Sequence, residues 1–159
     1  MTTNTPKLRF RQFSDDWTVT KFGEMTLKIG SGSTPKGGTA VYKDFGIPFI
    51  RSQNVNQNRL ITDEPTFIDE QTHNSMSNSR VKPHDLLLNI TGASIGRSCV
   101  VPSNFTDGNV NQHVCIIRLK KDYLPQFLQP LLASDIGQKL VFQAQTGSGR
   151  EGLNFQVIG

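Results

Sequence analysis

The clearest pattern in the sequence is a helical repeat of apolar residues between positions 124 and 142. The residues that share this helical face are Leu124, Phe127, Leu128, Leu131, Leu132, Ile136 and Leu140. Proline disrupts a helix interior and glycine weakens it, so Pro130 and Gly137 interrupt the pattern. The sequence therefore predicts two short helices, or one kinked helix, with the break near Ser134-Asp135.

Short runs rich in β-branched and aromatic residues predict strands bounded by turns elsewhere in the chain. The predicted strands cover 47–51, 86–90, 95–101 and 112–119, with a weaker strand and a brief helical turn within 18–29 and a last strand-like piece at 153–158. Asp69-Glu70 is expected to open a short helix that ends near Ser77, because acidic residues suit a first turn. The glycine-rich segment 30–38 and the polar segment 53–66 are predicted loops.

These elements predict one α+β domain, which the length of 159 residues allows. Strands that follow one another through short turns favour a mostly antiparallel, twisted sheet with a few short helices. Residues 1–13 are polar and basic without a periodic pattern and are expected to form a lead-in. The domain is therefore expected to cover residues 14–159.

The apolar runs also bear on the compartment of the protein. None of them is long enough to cross a bilayer, and the first residues do not have the pattern of a signal peptide. Cys99 and Cys115 both lie in apolar stretches, which favours buried, reduced thiols over a disulfide. We therefore expect a cytoplasmic chain with no membrane partner.

Charge adds a mild preference for an anionic partner. The 17 Lys and Arg residues and 13 Asp and Glu residues give a net charge of +4 and a pI near 9.3. This balance is far from that of a histone or a polybasic arm. Charge alone therefore leaves nucleic-acid binding open.

The sequence contains no pattern typical of a catalytic or metal site. A phosphate-binding loop counted from Gly30 would have Pro35 at its second glycine, which removes a required backbone donor. A dinucleotide motif, the Asn/Asp-Pro-Pro-aromatic tetrapeptide of amino-group methyltransferases and the clustered carboxylates of a nuclease are all missing. His73, His84 and His113 stand apart from other metal ligands, which favours structural roles. We expect a binding module with no catalytic residue, metal or cofactor of its own.

Polar clusters border the predicted loops rather than the helix faces. They are Lys36, Arg51-Ser52-Gln53-Asn54, Asn89-Thr91-Ser94-Arg97, Asn111-Gln112 and Ser148-Arg150. Arg can form two bonds to guanine O6 and N7, Asn or Gln can pair with adenine, and Ser, Thr and Lys bind phosphates. The clusters suit DNA binding, and solvated turns of no further function would have the same composition.

An ordered series of short motifs extends over about residues 8–159. The series is Trp17, Gly32-Ser33-Thr34-Pro35, Gly46-Ile47-Pro48-Phe49-Ile50-Arg51, Leu86-Leu87-Leu88-Asn89-Ile90-Thr91-Gly92-Ala93-Ser94-Ile95-Gly96-Arg97, Asn111-Gln112 and Gly152-Leu153-Asn154. In order and spacing it resembles the first target recognition domain of the specificity subunit of type I restriction-modification systems. Each motif is weak alone, and the order of the series makes the resemblance specific.

The resemblance implies a non-catalytic, sequence-specific DNA-binding module that reads one half of a bipartite double-stranded target. The implied partners are an adenine methyltransferase (modification) subunit that uses S-adenosylmethionine and a restriction subunit that uses ATP for translocation. The resemblance implies spacer helices between two such domains in a full subunit, and we expect these helices to lie outside the 159 residues. The alternative is a protein–protein module that holds partner subunits together without reading bases.

The candidate DNA-binding residues are ten polar side chains of the predicted loops. They are Lys36, Arg51, Gln53, Asn54, Asn56, Asn58, Thr91, Ser94, Arg97 and Arg150. Family motifs occur in members with different targets, so base reading is expected between them, in 53–66, around 74–84 or in 36–43. Lys36 at a loop tip is expected to bind phosphate, whereas Arg51 is equally a candidate for an internal ion pair.

Overall fold

The computed structural model describes residues 8–56, 58–63, 65–145 and 152–159. The strands in these ranges are β1 (Thr26–Ser31), β2 (Ile47–Ile50), β3 (Val55–Asn56), β4 (Arg59–Leu60), β5 (Phe67–Ile68), β6 (Leu86–Asn89), β7 (Ser98–Val100), β8 (Asn109–Val110) and β9 (Val114–Leu119). The α-helices are α1 (Glu70–Ser75), α2 (Pro125–Ala133), α3 (Asp135–Ala144) and α4 (Phe155–Ile158). Short 3-10 helices cover Phe22–Met25, Gly38–Val41, Ser52–Asn54, Ser77–Ser79 and Gly92–Ser94. Antiparallel strands with short helices confirm the predicted α+β class.

The main sheet is antiparallel throughout and has the strand order β1-β9-β6-β7. Side chains of the central strand β6 alternate between two cores, as the pleat requires. Leu87 packs with Val55 and other buried residues on one face of the sheet. Leu86 and Leu88 pack on the opposite face against α2 and α3. The sheet is therefore covered on both sides, which explains why β6 reads as a continuous apolar run.

A smaller sheet with the order β5-β2-β8 lies beside the first one. Strand β2 is antiparallel to β5 and parallel to β8. Strands β3 and β4 form a separate hairpin, so the prediction of a continuous loop over 53–66 is wrong for this stretch. Each of its strands buries one residue, Val55 or Leu60, and two paired residues per strand are too few to produce an alternating pattern.

Side-chain caps explain where two of the helices begin. The predicted break is confirmed, since α2 and α3 are separated by Ser134 alone. The Ser134 hydroxyl oxygen accepts a hydrogen bond from the N–H of Gly137 at 3.3 Å and caps α3. The carboxylate of Asp69 caps α1 by accepting from the N–H of Thr72 at 2.8 Å, and this bond lowers the pKa of Asp69.

The last element differs from its prediction. Residues 153–158 read as a strand-like piece, whereas the structure has the short helix α4 there. The side chain of Asn154 accepts from the N–H of Val157 at 2.9 Å and starts the helix. Just before this segment, Gly152 forms an isolated β-bridge with Thr91. A local cap thus outweighs the alternation of apolar residues.

The outer surface of the α2–α3 pair remains apolar. Leu128 of the predicted apolar face is buried, but most other members of that face are 52–68% exposed. The exposed members are Leu124, Phe127, Leu131, Ile136 and Leu140. In the described part of the chain, none of the helices has both the length and the apolarity needed to span a membrane. The pair therefore covers the sheet with one face and shows bare apolar side chains on the other.

A buried ion pair lies at the end of the main sheet where β6 begins. Asp85 is 1% exposed, and both its oxygens accept from the guanidinium of Arg118 at 2.7 Å. The backbone N–H of Lys82 donates to the same carboxylate at 2.7 Å. Two parallel charged bonds give this pair a defined geometry.

Both cysteines are buried, free thiols in the main sheet, as predicted. Cys99 lies in β7 and Cys115 in β9. Burial raises the pKa of each thiol to about 12, because an apolar surrounding disfavours the thiolate. These thiols are therefore packing groups rather than nucleophiles.

Candidate nucleic-acid interface

The topology of the two sheets brings the predicted loops together at one end. Strands β2 and β8 run parallel, so their carboxyl ends lie side by side, and the N–H of Asn111 donates to the carbonyl of Ile50 at 3.0 Å. Strands β1 and β6 both run antiparallel to β9, and their last residues pair with its first. The segments that meet here are 31–38, the described residues of 51–60, 90–98 and 111–114. This surface is termed the loop end.

The glycine-rich loop places Lys36 at the loop end. The N–H of Gly32 donates to the carbonyl of Asn111 at 3.2 Å, and a Cβ on Gly32 would overlap the carbonyl oxygen of Val110. Glycine alone permits this close approach of two backbones. Pro35 is buried and Lys36 is exposed, so the ammonium group extends into solvent from a fixed base.

Arg51 is held by an aromatic ring rather than by a carboxylate. Its guanidinium carbon lies 5.8 Å from the ring centroid of Tyr42, whose ring packs against Phe49 at a centroid distance of 5.5 Å. Among the described residues, no Asp or Glu forms an ion pair with Arg51. Stacking on tyrosine orders this partly exposed arginine, whose Nε is buried without a hydrogen-bond partner among the described residues. Of its two predicted roles, this favours contact with a ligand.

Two neighbouring amides of the loop end have different surroundings. Asn54 is buried, its Oδ1 accepts from the N–H of Arg51 at 2.9 Å, and its Nδ2 donates to the carbonyl of Ile61 at 3.1 Å. Both ends of this amide bind the chain itself, so Asn54 has a scaffold role in place of the predicted base contact. Gln53 beside it is exposed and keeps its candidate role.

The β3–β4 hairpin exposes Asn56 and Asn58. Asn58 lies in the turn with a φ of 66°, a left-handed conformation that asparagine tolerates. Its N–H donates to the carbonyl of Ser98 at 3.0 Å. Gln129 of α2 reaches the same point, with its Nε2 2.6 Å from Asn58 Oδ1 and 3.2 Å from the Ser98 carbonyl oxygen. The turn is therefore fastened to the start of β7.

Asn89 joins two loops from inside the protein. It is fully buried, and its Nδ2 donates to the carbonyl of Ser52 at 2.8 Å and to the hydroxyl of Ser94 at 3.0 Å. The half-buried Ser94, a predicted DNA contact, is thus part of this internal link. The bonds hold the 51–54 segment against the 91–97 segment.

Thr91, another candidate, is ordered by a histidine. The Nε2 of Gln112 lies 3.0 Å from His113 Nε2, and His113 Nδ1 lies 2.6 Å from the Thr91 hydroxyl. Both ring nitrogens of His113 thus lie within hydrogen-bond distance of a polar side chain, and the shorter contact orders the Thr91 hydroxyl. His113 therefore makes hydrogen-bond contacts of the kind expected for a structural histidine.

Arg97 is exposed between two fixed backbone groups. The carbonyl of Gly96 accepts from Nε2 of Gln138 in α3 at 3.0 Å, and the carbonyl of Arg97 accepts from the N–H of Asn89 at 2.8 Å. Gly96 has a φ of 85°, and a Cβ there would lie 2.6 Å from the Gln138 side chain. Both α3 and β6 therefore set the position from which the Arg97 side chain extends.

The charges of the loop end are all positive. Its four segments contain Lys36, Arg51, Arg59 and Arg97 and none of the 13 Asp and Glu residues of the chain. In the described ranges, the ion pairs are those of His73 with Asp107 and of Arg118 with Asp85, and both lie away from this surface. Cations without carboxylates in the same segments give a positive potential that attracts anions.

Eight of the ten candidates thus meet on one surface. They are Lys36, Arg51, Gln53, Asn56, Asn58, Thr91, Ser94 and Arg97. Arg150, like Ser148 beside it, lies outside the described residues. The 74–84 region, one of the predicted places for base reading, lies at the opposite end, where Val81 N–H donates to the carbonyl of Gly108 at 2.9 Å.

The chemistry of this surface is that of recognition. It offers amide donors and acceptors, hydroxyl groups and fixed cations on a rigid base. Within the described ranges, no group of three His, Cys, Asp or Glu side chains is placed to hold a metal ion. The buried His73 is engaged with Asn109, its Nδ1 lying 2.6 Å from Oδ1.

The backbone of this chain is similar to that of several solved structures. No family model matches the sequence. A chain from a structure on complex assembly and conformational transition of the type I R-M system has a TM-score of 0.62 and 14% identity, covering 87% of this chain and 31% of that one. The HsdS subunit from Thermoanaerobacter tengcongensis has a TM-score of 0.51 and 16% identity, covering 74% and 29%. The type I restriction-modification S subunit from M. genitalium has a TM-score of 0.59 and 11% identity, covering 98% and 35%.

The chain shares the fold of one part of these S-subunit structures. It spans about a third of the length of each of these solved chains. The likeness in backbone agrees with the resemblance carried by the order of the sequence motifs.

Some residues that matter in this S-subunit fold were not predicted as site residues. Arg59 belongs to the loop end, and its place in the polar segment 53–66 was a usable signal. Gln129 in α2 and Gln138 in α3 form hydrogen bonds that hold the loops of the loop end. In the sequence they appear only as polar residues within the apolar helical pattern. Their roles depend on contacts with residues far away in the chain, which local sequence does not reveal.

Proposed function

We propose that this chain is a target recognition domain that binds double-stranded DNA and reads one half of a bipartite target. The loop end carries this proposal, because four cations and several exposed amides and hydroxyls meet there on segments without carboxylates. The S-subunit fold supports the same assignment. The domain itself would be non-catalytic.

DNA binding would combine two kinds of contact. Lys36 would neutralise a phosphate, which adds affinity without sequence preference. Gln53, Asn56 and Asn58 would reach base edges in the major groove, where each good bidentate contact discriminates by about 1–3 kcal/mol. Arg51, ordered by its tyrosine, can serve either a phosphate or guanine.

Partner subunits would supply the chemistry in the cytoplasm. An adenine methyltransferase subunit holding S-adenosylmethionine would modify the DNA that this domain selects. A restriction subunit using ATP would act on the same complex. The domain would direct both by choosing the sequence, and it would need no cofactor for that task.

Equilibrium binding to duplex DNA at several salt concentrations tests the proposal. If the four cations each contact a phosphate, the plot of log K against log salt has a slope of about −3.6, since each contact contributes about −0.9. Lys36→Ala should make this slope less steep by about 1 and should weaken binding to all sequences equally. Lys121→Ala, an exposed lysine beyond β9 at the opposite end, is the control that leaves the slope unchanged. A shallow slope with no motif selected from random duplexes would contradict the proposal.

The bare face of α2 and α3 favours a second candidate function, a protein–protein module that holds partner subunits without reading bases. Phe127 and Leu131 are 63% and 52% exposed on that face. Under this alternative, Phe127→Ser would abolish binding of the modification subunit while the domain showed no preference among duplexes. Retained sequence preference in the domain would reject it.

A further inference from the structure

The side chain of Gln129 has a defined donor end. Gln129 is buried, and its Nε2 lies 3.2 Å from the Ser98 carbonyl oxygen, 3.3 Å from the Ser98 hydroxyl and 2.6 Å from Asn58 Oδ1. A backbone carbonyl oxygen only accepts, so the Gln129 atom that faces it must be the amide nitrogen. That nitrogen in turn only donates, so Asn58 must face it with its carbonyl oxygen.

This bond sets which end of Asn58 is presented to a ligand. Asn58 is exposed, and no described residue accepts a hydrogen bond from its Nδ2. The backbone of Asn58 is held as well, because its N–H donates to Ser98 at 3.0 Å. Turning the amide over would place two donors against each other, so the outward group is the Nδ2 donor. Gln53 has no such hydrogen bond to a described residue and can present either end.

We propose that Asn58 is a specificity-determining residue and that Gln129 is the positioning residue that fixes it as a hydrogen-bond donor. This inference rests on the proposed DNA-binding function. In the major groove, purine N7, guanine O6 and thymine O4 accept, whereas cytosine presents an amino donor. Asn58 therefore disfavours cytosine at the base it faces.

Selection of binding sites from a random duplex pool with the 159-residue chain tests this inference. Asn58→Asp keeps an oxygen toward Gln129 and replaces the outward amino group with an acceptor. The position from which the parent chain excludes cytosine should then accept bases with an amino donor, cytosine or adenine. The preference at that position should shift about tenfold or more, while the other positions keep theirs.

Gln129→Met tests the positioning role separately. Methionine keeps the length and burial of the side chain but cannot donate, so the Asn58 amide is able to rotate. The same position should lose its discrimination against cytosine without a shift toward another base. Gln126→Met is the matched control, because Gln126 is exposed on the same helix α2. Thermal unfolding of each variant verifies that it is folded.

The outcomes separate the inference from the proposed function. If the parent chain selects a motif and both Asn58→Asp and Gln129→Met leave every position unchanged, the inference is wrong and DNA reading stands. If both variants weaken binding evenly for all sequences, Asn58 contacts phosphate and the inference is overturned. If the parent chain selects no motif, the proposed function fails and the inference fails with it.

Discussion

Replacing Asn89 with leucine should weaken the link between two loops of the proposed DNA-binding surface. Asn89 is fully buried, and its Nδ2 donates to Ser52 at 2.8 Å and to Ser94 at 3.0 Å, with a longer contact of 3.4 Å to the Val55 carbonyl. Leucine has the same branching and the same number of side-chain heavy atoms but is larger, so the change removes donors without leaving a cavity and adds some crowding. The acceptors on Ser52 and Ser94 would then lack their partner.

The magnitude follows from those contacts. Leaving a buried acceptor without its donor costs about 1–3 kcal/mol. The Ser52 carbonyl bears most of this cost, because the half-buried Ser94 hydroxyl can turn to water. Asn89 Oδ1 has no partner among the described residues, so removing this buried oxygen offsets about 1 kcal/mol of the lost stability. We expect a net loss of about 2 kcal/mol in the free energy of unfolding, a large part of the 5–15 kcal/mol typical of a domain.

Urea unfolding followed by circular dichroism measures this loss. With a slope of about 2 kcal/mol per molar urea, the midpoint should fall by about 1 M. Ser94→Ala removes one of the two shorter bonds and should lower the midpoint by less than half as much. A midpoint for Asn89→Leu within about 0.2 M of the parent chain would show that this asparagine does not hold the loops together.

Three further predictions concern other parts of the molecule. Asp85→Ala leaves the half-buried Arg118 without its partner and should lower the free energy of unfolding by about 3–5 kcal/mol, as measured by chemical unfolding. The folded protein should keep its DNA preference. Gln53→Ala should relax one position of a selected DNA motif, and an unchanged motif would remove Gln53 from the readers. Burial raises the pKa of Cys99 and Cys115 from 9.0 to about 12. As the pH rises, these thiols therefore lose their protons in the unfolded chain before they do so in the folded protein. The free energy of unfolding should fall as the pH rises above about 9. Urea unfolding between pH 8 and 10 checks this, and stability that does not fall over that range would argue against buried thiols.

Elements with local signals could be predicted from the sequence. The break between α2 and α3 follows from a serine cap placed between Pro130 and Gly137. The strands around 86–90 and 112–119 follow from short branched apolar runs that turn residues bound. Their ends then determine which loops meet, because antiparallel pairing brings the last residues of one strand beside the first of the next.

Features that depend on distant contacts could not be predicted in this way. Gln53 and Asn54 are adjacent and chemically alike, and the burial of Asn54 with its hydrogen bonds to Arg51 and Ile61 separates their roles. The β3–β4 hairpin has too few paired residues for a strand pattern, and its turn is held by Gln129, more than 70 residues away in the chain. The alternation at 153–158 suggested a strand, and the cap by Asn154 made a helix of it.

The separation between the two ends of the main sheet has a consequence for how such a protein can diversify. The Asp85–Arg118 pair lies at one end of the sheet, while the exposed tips at the other end are anchored by glycine, asparagine and glutamine residues beneath them. Exposed substitutions away from such anchors usually change stability by less than about 0.5 kcal/mol. Successive mutations at the tips can therefore explore new ligand preferences at nearly constant stability, provided that the anchors are retained.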